Sequence, residues 1–121
     1  MQAVSRQRWL WRRAWAQAGR ITEFPIPTSS SDPWGITAGR DGNLWFTEQD
    51  KNRIGRITTS GIIAEFSFST RPMAITPRGI TAGPDGNLWF TESGGDRIGR
   101  ITTCGRITEF SGNKIGRITT R

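Results

Sequence analysis

Histidine is absent from the 121-residue chain, and cysteine occurs once, at Cys104. Without an imidazole group the chain cannot supply a histidine general base or a histidine metal ligand. A single thiol cannot form an internal disulfide or build a zinc site. No apolar run approaches the ~18 residues of a membrane helix, and residues 9–11 are too short an apolar core for a secretion signal. We therefore favour the cytoplasm as its compartment.

Positive charge is concentrated at the N-terminus. The formal net charge is +7, and residues 1–20 contain five arginines and no acidic residue. Arginine alternates there with Trp9, Trp11 and Trp15, a pattern that fits a disordered tail or a short helix that contacts a membrane surface or nucleic acid. The rest of the chain is nearly neutral, so no specific nucleic-acid partner is predicted, and membrane contact is left to this arm alone.

Internal repetition dominates the remaining sequence. Residues 35–66 and 79–110 align at an offset of 44 without a gap, and 24 of the 32 positions are identical. Residues 19–24 match the end of a copy, and residues 113–120 match a stretch from its second half. Four short predicted strands in a period of ~40–45 residues are typical of a β-propeller blade.

Each copy is predicted to contain four strands, which in the first copy are residues 35–38, 43–47, 53–58 and 62–67. Asp41-Gly42 and Ser60-Gly61 predict tight turns, because glycine adopts the positive φ that these turns need. Residues 48–52 form a polar loop in this prediction. Gly55, inside the third strand, indicates a bulge or a close approach of two groups.

The predicted fold class is all-β: a β-propeller fragment of two complete four-stranded blades with partial flanking blades. The expected segments are a basic arm (1–20), the last strand of a preceding blade with a linker (21–34), the first blade (35–66), a linker (67–78), the second blade (79–110) and a partial blade (111–121).

Two blades can cover only the one interface between them, so each outer face is expected to leave apolar side chains in water. Repeat arrays need about three or more units for stability. We expect the isolated chain to be marginally stable and to associate with further copies or with other propeller blades. Three or four copies would complete a ring of roughly six to eight blades.

The repeat P-x-G-I-T-A-G-x-D-G-N-L-W-F-T-E, continued by R-I-G-R-I-T-T-x-G-x-I-x-E-F, resembles that of the virginiamycin B lyase (streptogramin B lyase) family. The resemblance covers about residues 19–121. It implies a seven-bladed propeller and an elimination that opens the lactone of streptogramin B antibiotics, a form of antibiotic resistance. It also implies a divalent cation such as magnesium, with histidine and glutamate at the site.

That chemistry does not carry over to a chain without histidine, so we assign no catalytic residue, no metal ligand and no cofactor. The leading hypothesis is a truncated, non-catalytic binding or assembly module. One alternative is a lyase that is active only as an oligomer or with a partner that supplies histidine. Another is a membrane or nucleic-acid binder that uses residues 1–20.

A small-molecule ligand would have five candidate contacts. Trp34 follows Pro33 in a predicted loop, where the second copy has Arg78, and is interpreted as a ligand-facing aromatic or a packed anchor. Two acidic–basic pairs flank the loop between the second and third strands: Glu48 with Arg53, and Glu92 with Arg97. Loops of this kind gather at one face of a propeller and often bind ligands. A structural ion pair is the competing interpretation.

Three further motifs have structural and functional interpretations. Asp41-Gly42-Asn43 is interpreted as a hairpin turn rather than a calcium loop, since calcium takes about six to eight ligands. Trp45 and Trp89 are expected in the core rather than stacked on a ligand. Cys104 occupies a turn position that Ser60 holds in the first copy, and a reactive thiol would need an activating neighbour.

Overall fold

The computed structural model describes residues 19–68 and 75–111. They form two four-stranded antiparallel sheets whose strands follow chain order. The first sheet contains β1 (Pro33–Ala38), β2 (Leu44–Glu48), β3 (Arg53–Ile57) and β4 (Ile63–Ser67). The second sheet contains β5 (Pro77–Ala82), β6 (Leu88–Glu92), β7 (Arg97–Ile101) and β8 (Ile107–Ser111). The predicted all-β fold of two propeller-type sheets is thereby confirmed.

Two of the boundaries that differ from the sequence prediction concern candidate site residues. β1 begins at Pro33, because Pro33 pairs with Glu48 beyond an irregularity in the register, so Trp34 lies in a strand rather than a loop. Glu48 belongs to β2, where it pairs with Arg53, and only residues 49–51 of the predicted loop form a 3-10 turn. The basic arm and the partial last blade lie outside the described residues.

The Asp-Gly turns are fastened by hydrogen bonds that repeat in both sheets. Asp41 accepts the backbone N–H of Asn43 at 3.2 Å and the indole N–H of Trp45 at 3.1 Å. In the second sheet the indole N–H of Trp89 donates to Asp85 at 3.0 Å, and this bond is the main cause of the lowered pKa of Asp85. These carboxylates therefore serve the hairpin turn.

The core lies between the two sheets. Five side chains form it, each at most 2% exposed: Trp45, Ile54, Leu88, Phe90 and Ile101. Burying each is worth roughly 1.5–3 kcal/mol. The expected core position of Trp45 is confirmed, whereas Trp89 is half-buried and stacks on Phe110.

Glycines let aromatic rings pack directly against the backbone. A β-carbon at Gly55 would overlap the ring of Phe46, so this glycine marks a close approach rather than a bulge. Between the sheets, the ring of Phe66 lies on Gly105 of the turn before β8. Phe24 lies on Gly61 in the same way.

Residues 19–28 form no strand and pair with no strand of either sheet. The predicted last strand of a preceding blade is thus present only as a segment that packs on the first sheet. In the described part of the chain, no helix has the length and apolar character needed to cross a bilayer.

Candidate functional site

Glu48 is fully buried at the end of β2. The strand register places Glu65 of β4 on the same face, with Gly55 between the two carboxyl-bearing strands. Burial, together with the neighbouring Glu65 carboxyl group, raises the pKa of Glu48 from its ordinary 4.5 to about 8, and the opposing effect of Arg53 is smaller. Glu48 therefore retains its proton at neutral pH.

Arg53 forms its ion pair with Glu65 rather than with Glu48. Its Nη1 lies 3.7 Å from Oε1 of Glu65 and donates a hydrogen bond to the hydroxyl of Thr28 at 2.6 Å. Thr28 in turn donates to Glu65 at 3.0 Å. Glu48 lies opposite Arg53 in the strand register, and a role of these two residues in binding a ligand stays a prediction. Thr28, Arg53 and Glu65 form a closed polar cluster that fastens the segment 19–28 to the first sheet.

The second sheet repeats the buried glutamate and its strand register. Glu92 is 2% exposed and pairs across the strands with Arg97, as Glu48 does with Arg53. A β-carbon at Gly99 would overlap the ring of Phe90 and approach Glu92 to 2.8 Å. Since both glutamates are buried at the same place in each repeat, they are part of the structure of the sheet rather than a surface open to a ligand.

Trp34 is 59% exposed, and the guanidinium group of Arg78 lies 5.0 Å from its ring centre. Trp34 and Arg78 occupy equivalent places in the two repeats. The same position therefore carries an aromatic ring in the first sheet and a cation in the second, and the two side chains form a cation–π contact. Trp34 thus contacts Arg78 and is more than half exposed, and both interpretations of Trp34, as a ligand-facing aromatic and as a packed anchor, stay predictions.

An apolar cavity of about 270 Å³ adjoins Trp34. Phe24 and Ile26 form one wall, and Ile36, Phe46 and Ile63 belong to the opposite wall on the first sheet. The cavity is slightly smaller than the roughly 300–1,000 Å³ of typical ligand pockets. Trp34 borders this cavity, whereas the two glutamate–arginine pairs lie elsewhere, so the five candidate residues do not form one site.

The sequence prediction missed two features. The first is Glu65, whose proximity to Glu48 raises the pKa of Glu48. The second is Arg56, whose guanidinium lies 5.6 Å from the ring centre of Trp45 and 5.4 Å from that of Phe66. Both residues belong to motifs that occur in each copy: Glu65 to the E-F dipeptide, and Arg56 to R-I-G-R-I as its second arginine. This recurrence was the sequence signal that could have identified them.

The described residues do not fit a divalent cation. Within residues 19–68 and 75–111, no three acidic, histidine or cysteine side chains cluster as metal ligands would. At the acidic pair Glu48 and Glu65, the guanidinium of Arg53 already supplies a positive charge. Cys104 is exposed in the turn before β8 and belongs to no such cluster.

Comparison with known proteins gives a consistent result. A family model described as the virginiamycin B lyase family matches residues 15–120. The virginiamycin B lyase of Bacillus licheniformis is 55% identical over 44 residues, which are 36% of this chain and 15% of that protein. The enzyme of Bordetella parapertussis is 47% identical over 46 residues, or 38% of this chain and 15% of that protein.

Solved structures agree with the sequence relatives. The virginiamycin B lyase of Staphylococcus aureus superposes with a TM-score of 0.74 at 52% identity, over 80% of this chain and 33% of that one. A catalytically inactive histidine-to-alanine variant of it, solved with quinupristin, matches equally well. A streptogramin B lyase structure matches at 47% identity with the same TM-score. The chain thus spans about a third of the length of these solved relatives.

Proposed function

Since this chain belongs to the virginiamycin B lyase family, we propose that it acts as a non-catalytic binding and assembly module. The observation that carries the proposal is an apolar sheet face that no described residue covers. On the second sheet, Trp89, Thr91 and Ile98 border an open hollow of about 380 Å³. Their equivalents on the first sheet, Trp45, Thr47 and Ile54, are all 0% exposed. Exposed apolar patches of this kind mark interaction surfaces.

Two observations weigh against ring opening by this chain alone. A relative in which one histidine is replaced by alanine is described as catalytically inactive, and this chain has no histidine. The repeated glutamates Glu48 and Glu92 are buried. Glu48 moreover holds its proton near neutral pH, so neither glutamate is available as a base at the surface.

A ring-opening assay tests the proposal. The purified chain would be incubated with quinupristin and magnesium, and the cyclic and opened forms would be separated by chromatography, because an elimination leaves the mass unchanged. We expect no opening above the blank, while a full-length family lyase in parallel opens the ring. Opening activity that co-elutes with the chain in gel filtration would overturn the non-catalytic assignment.

The second candidate function is a lyase completed by other chains. It is favoured by the 52% identity and the common fold with the Staphylococcus aureus enzyme over a third of that enzyme. This candidate predicts that activity is absent from the chain alone and emerges when a histidine-containing segment of a family lyase is added. Absence of activity in every such mixture, at concentrations where the two associate, would exclude it.

A further inference from the structure

We propose that a second copy of this chain docks head to tail on the first. The outer face of one copy consists of Trp89, Thr91, Ile98, Arg100 and Phe110. The receiving face of the next copy consists of Leu44, Phe46, Ile57, Gly61 and Ile63. This inference rests on the proposed function, because it names the occupant of the open sheet face.

The interface between the two sheets of one chain is the pattern for this docking. The ring of Phe66 lies on Gly105. The hydroxyl of Thr47 donates to the backbone carbonyl of Arg78 at 2.7 Å. The guanidinium of Arg56 donates to the carbonyl of Thr103 at 3.3 Å. An aromatic contact and two hydrogen bonds thus connect the first sheet to the second.

The outer face carries the same groups in the same arrangement. Phe110, Thr91 and Arg100 lie 44 residues after Phe66, Thr47 and Arg56, and each is the same residue type. Trp89 and Phe110 stack with centroids 5.6 Å apart, as Trp45 and Phe66 do. Arg100 lies 5.5 Å from both ring centres, against 5.6 and 5.4 Å for Arg56. The side chains of the outer face therefore already have the arrangement that their equivalents on the first sheet have in the buried interface.

The receiving face supplies the matching partners. Gly61 has a φ of 95°, close to the 93° of Gly105, and so leaves the same space for a phenyl ring. In the interface between the two sheets of one chain, the acceptors are the backbone carbonyls of Arg78 and Thr103. The equivalent carbonyls on the receiving face are those of Trp34 and Thr59. A backbone carbonyl can accept the hydrogen bond whatever the side chain of its residue is. Leu44 is 39% exposed, whereas its equivalent Leu88 is 0% exposed in the interface. Docking would continue the existing interface into the next copy.

Residues 19–28 compete for part of the receiving face. The ring of Phe24 lies on Gly61, where the ring of Phe110 of the other copy would lie. The segment covers the face incompletely, because a cavity of about 270 Å³ remains beneath Phe24 and Ile26. In the interface between the two sheets of one chain, Trp45 and Ile54 fill the space that corresponds to this cavity. A second copy would supply Trp89 and Ile98 there, and therefore covers more apolar surface than the segment does.

Sedimentation velocity on two charge variants tests the docking and its direction. Phe110→Asp blocks the outer face, and Leu44→Asp blocks the receiving face. We expect the wild-type chain to associate with rising concentration and each variant to associate at least about tenfold more weakly. An equimolar mixture keeps one intact face of each kind, so it should form heterodimers and nothing larger.

Three outcomes would overturn the proposal. They are a wild-type chain that is monomeric at every concentration, variants that associate as strongly as the wild type, and a mixture that shows no heterodimer. Binding to longer family members without self-association would equally overturn it. Far-ultraviolet circular dichroism establishes that each variant is folded.

A variant with the opposite effect keeps the test decisive if a charge variant unfolds. Phe24→Ala removes the ring that lies on Gly61 and so frees this part of the receiving face. Self-association should then become about tenfold tighter, the effect of ~1.4 kcal/mol. Ile21→Ala is the matched control, because Ile21 is 84% exposed in the same segment. Equal association of the two variants would overturn the proposal. Ring opening by the chain would instead contradict the proposed function and leave this result unaffected.

Discussion

At the scale of single residues, the buried glutamate of the repeat is the most informative position. Glu48 is enclosed with Glu65, and Arg53 pairs with Glu65, so the second carboxyl group is kept neutral by a proton. A buried charge that lacks full compensation is costly, and protonation removes that cost. The stability of the sheet therefore depends on the pH of the solution.

The chain should lose stability as the pH rises from about 4.5 to about 8. The folded state binds a proton on Glu48 with a pKa of about 8, whereas the unfolded chain releases it with a pKa of 4.5. Stability is therefore greatest below the unfolded pKa and falls by at most ~1.4 kcal/mol per pH unit until the folded pKa is passed. Thermal melts between pH 5 and 8 measure this decline.

Glu48→Gln should flatten the pH profile, because the amide is neutral throughout the range. Glu23→Gln is the control, since Glu23 is exposed and should leave the slope unchanged. A slope that persists in Glu48→Gln would show that another group carries the pH dependence.

At the scale of strands, each sheet is held by aromatic rings that lie across glycines of the neighbouring strand. Phe46 lies on Gly55 within the first sheet, and Phe90 lies on Gly99 within the second. The same kind of contact joins the sheets, where Phe66 lies on Gly105. The glycines in strands β3 and β7 therefore have a packing role that their low strand propensity alone would not suggest.

Gly55→Ala should destabilise the chain by about 1–3 kcal/mol, the usual cost of overpacking. Its β-carbon would overlap the Phe46 ring, and strand β3 is paired on both sides and cannot move away. Gly79→Ala is the matched control in strand β5, because its nearest neighbour is the Thr91 hydroxyl at 3.5 Å. Urea unfolding of both variants at one low concentration gives the comparison. A similar loss in both would contradict this account.

At the scale of the whole molecule, the two sheets share one buried interface. The far side of the second sheet is open, whereas residues 19–28 cover part of the far side of the first sheet. The core between them contains five well-buried side chains. Trp89 and Ile98, the equivalents of Trp45 and Ile54, are only half-buried on the outer face, so they contribute less than their counterparts in the core. Association and folding are therefore expected to be coupled in this protein.

The melting temperature of the wild-type chain should rise with protein concentration, because association stabilises the folded state by mass action. Phe110→Asp should show a much smaller rise over the same concentrations, because its association is weakened. Differential scanning calorimetry over a hundredfold concentration range measures both. A wild-type melting temperature that is independent of concentration would show that folding does not require a neighbour.

The sequence by itself determined the local structure. The Asp-Gly turns, the four strands of each repeat and the close approach at Gly55 all follow from the conformational preferences of neighbouring residues, which are the same wherever the repeat occurs. Trp34 and Glu48 were placed in loops because their strand pairing, Pro33 with Glu48, joins positions fifteen residues apart beyond an irregular register.

Only the tertiary structure decided which copy of each residue is buried. Leu44 and Leu88 have identical sequence surroundings, yet one is 39% exposed and the other 0%. The ion pair of Arg53 with Glu65 and the contact of the Phe24 ring with Gly61 were likewise outside the reach of sequence patterns. The physical reason is that burial and electrostatics depend on which groups pack against a side chain, and identical repeats at different places in an array have different neighbours.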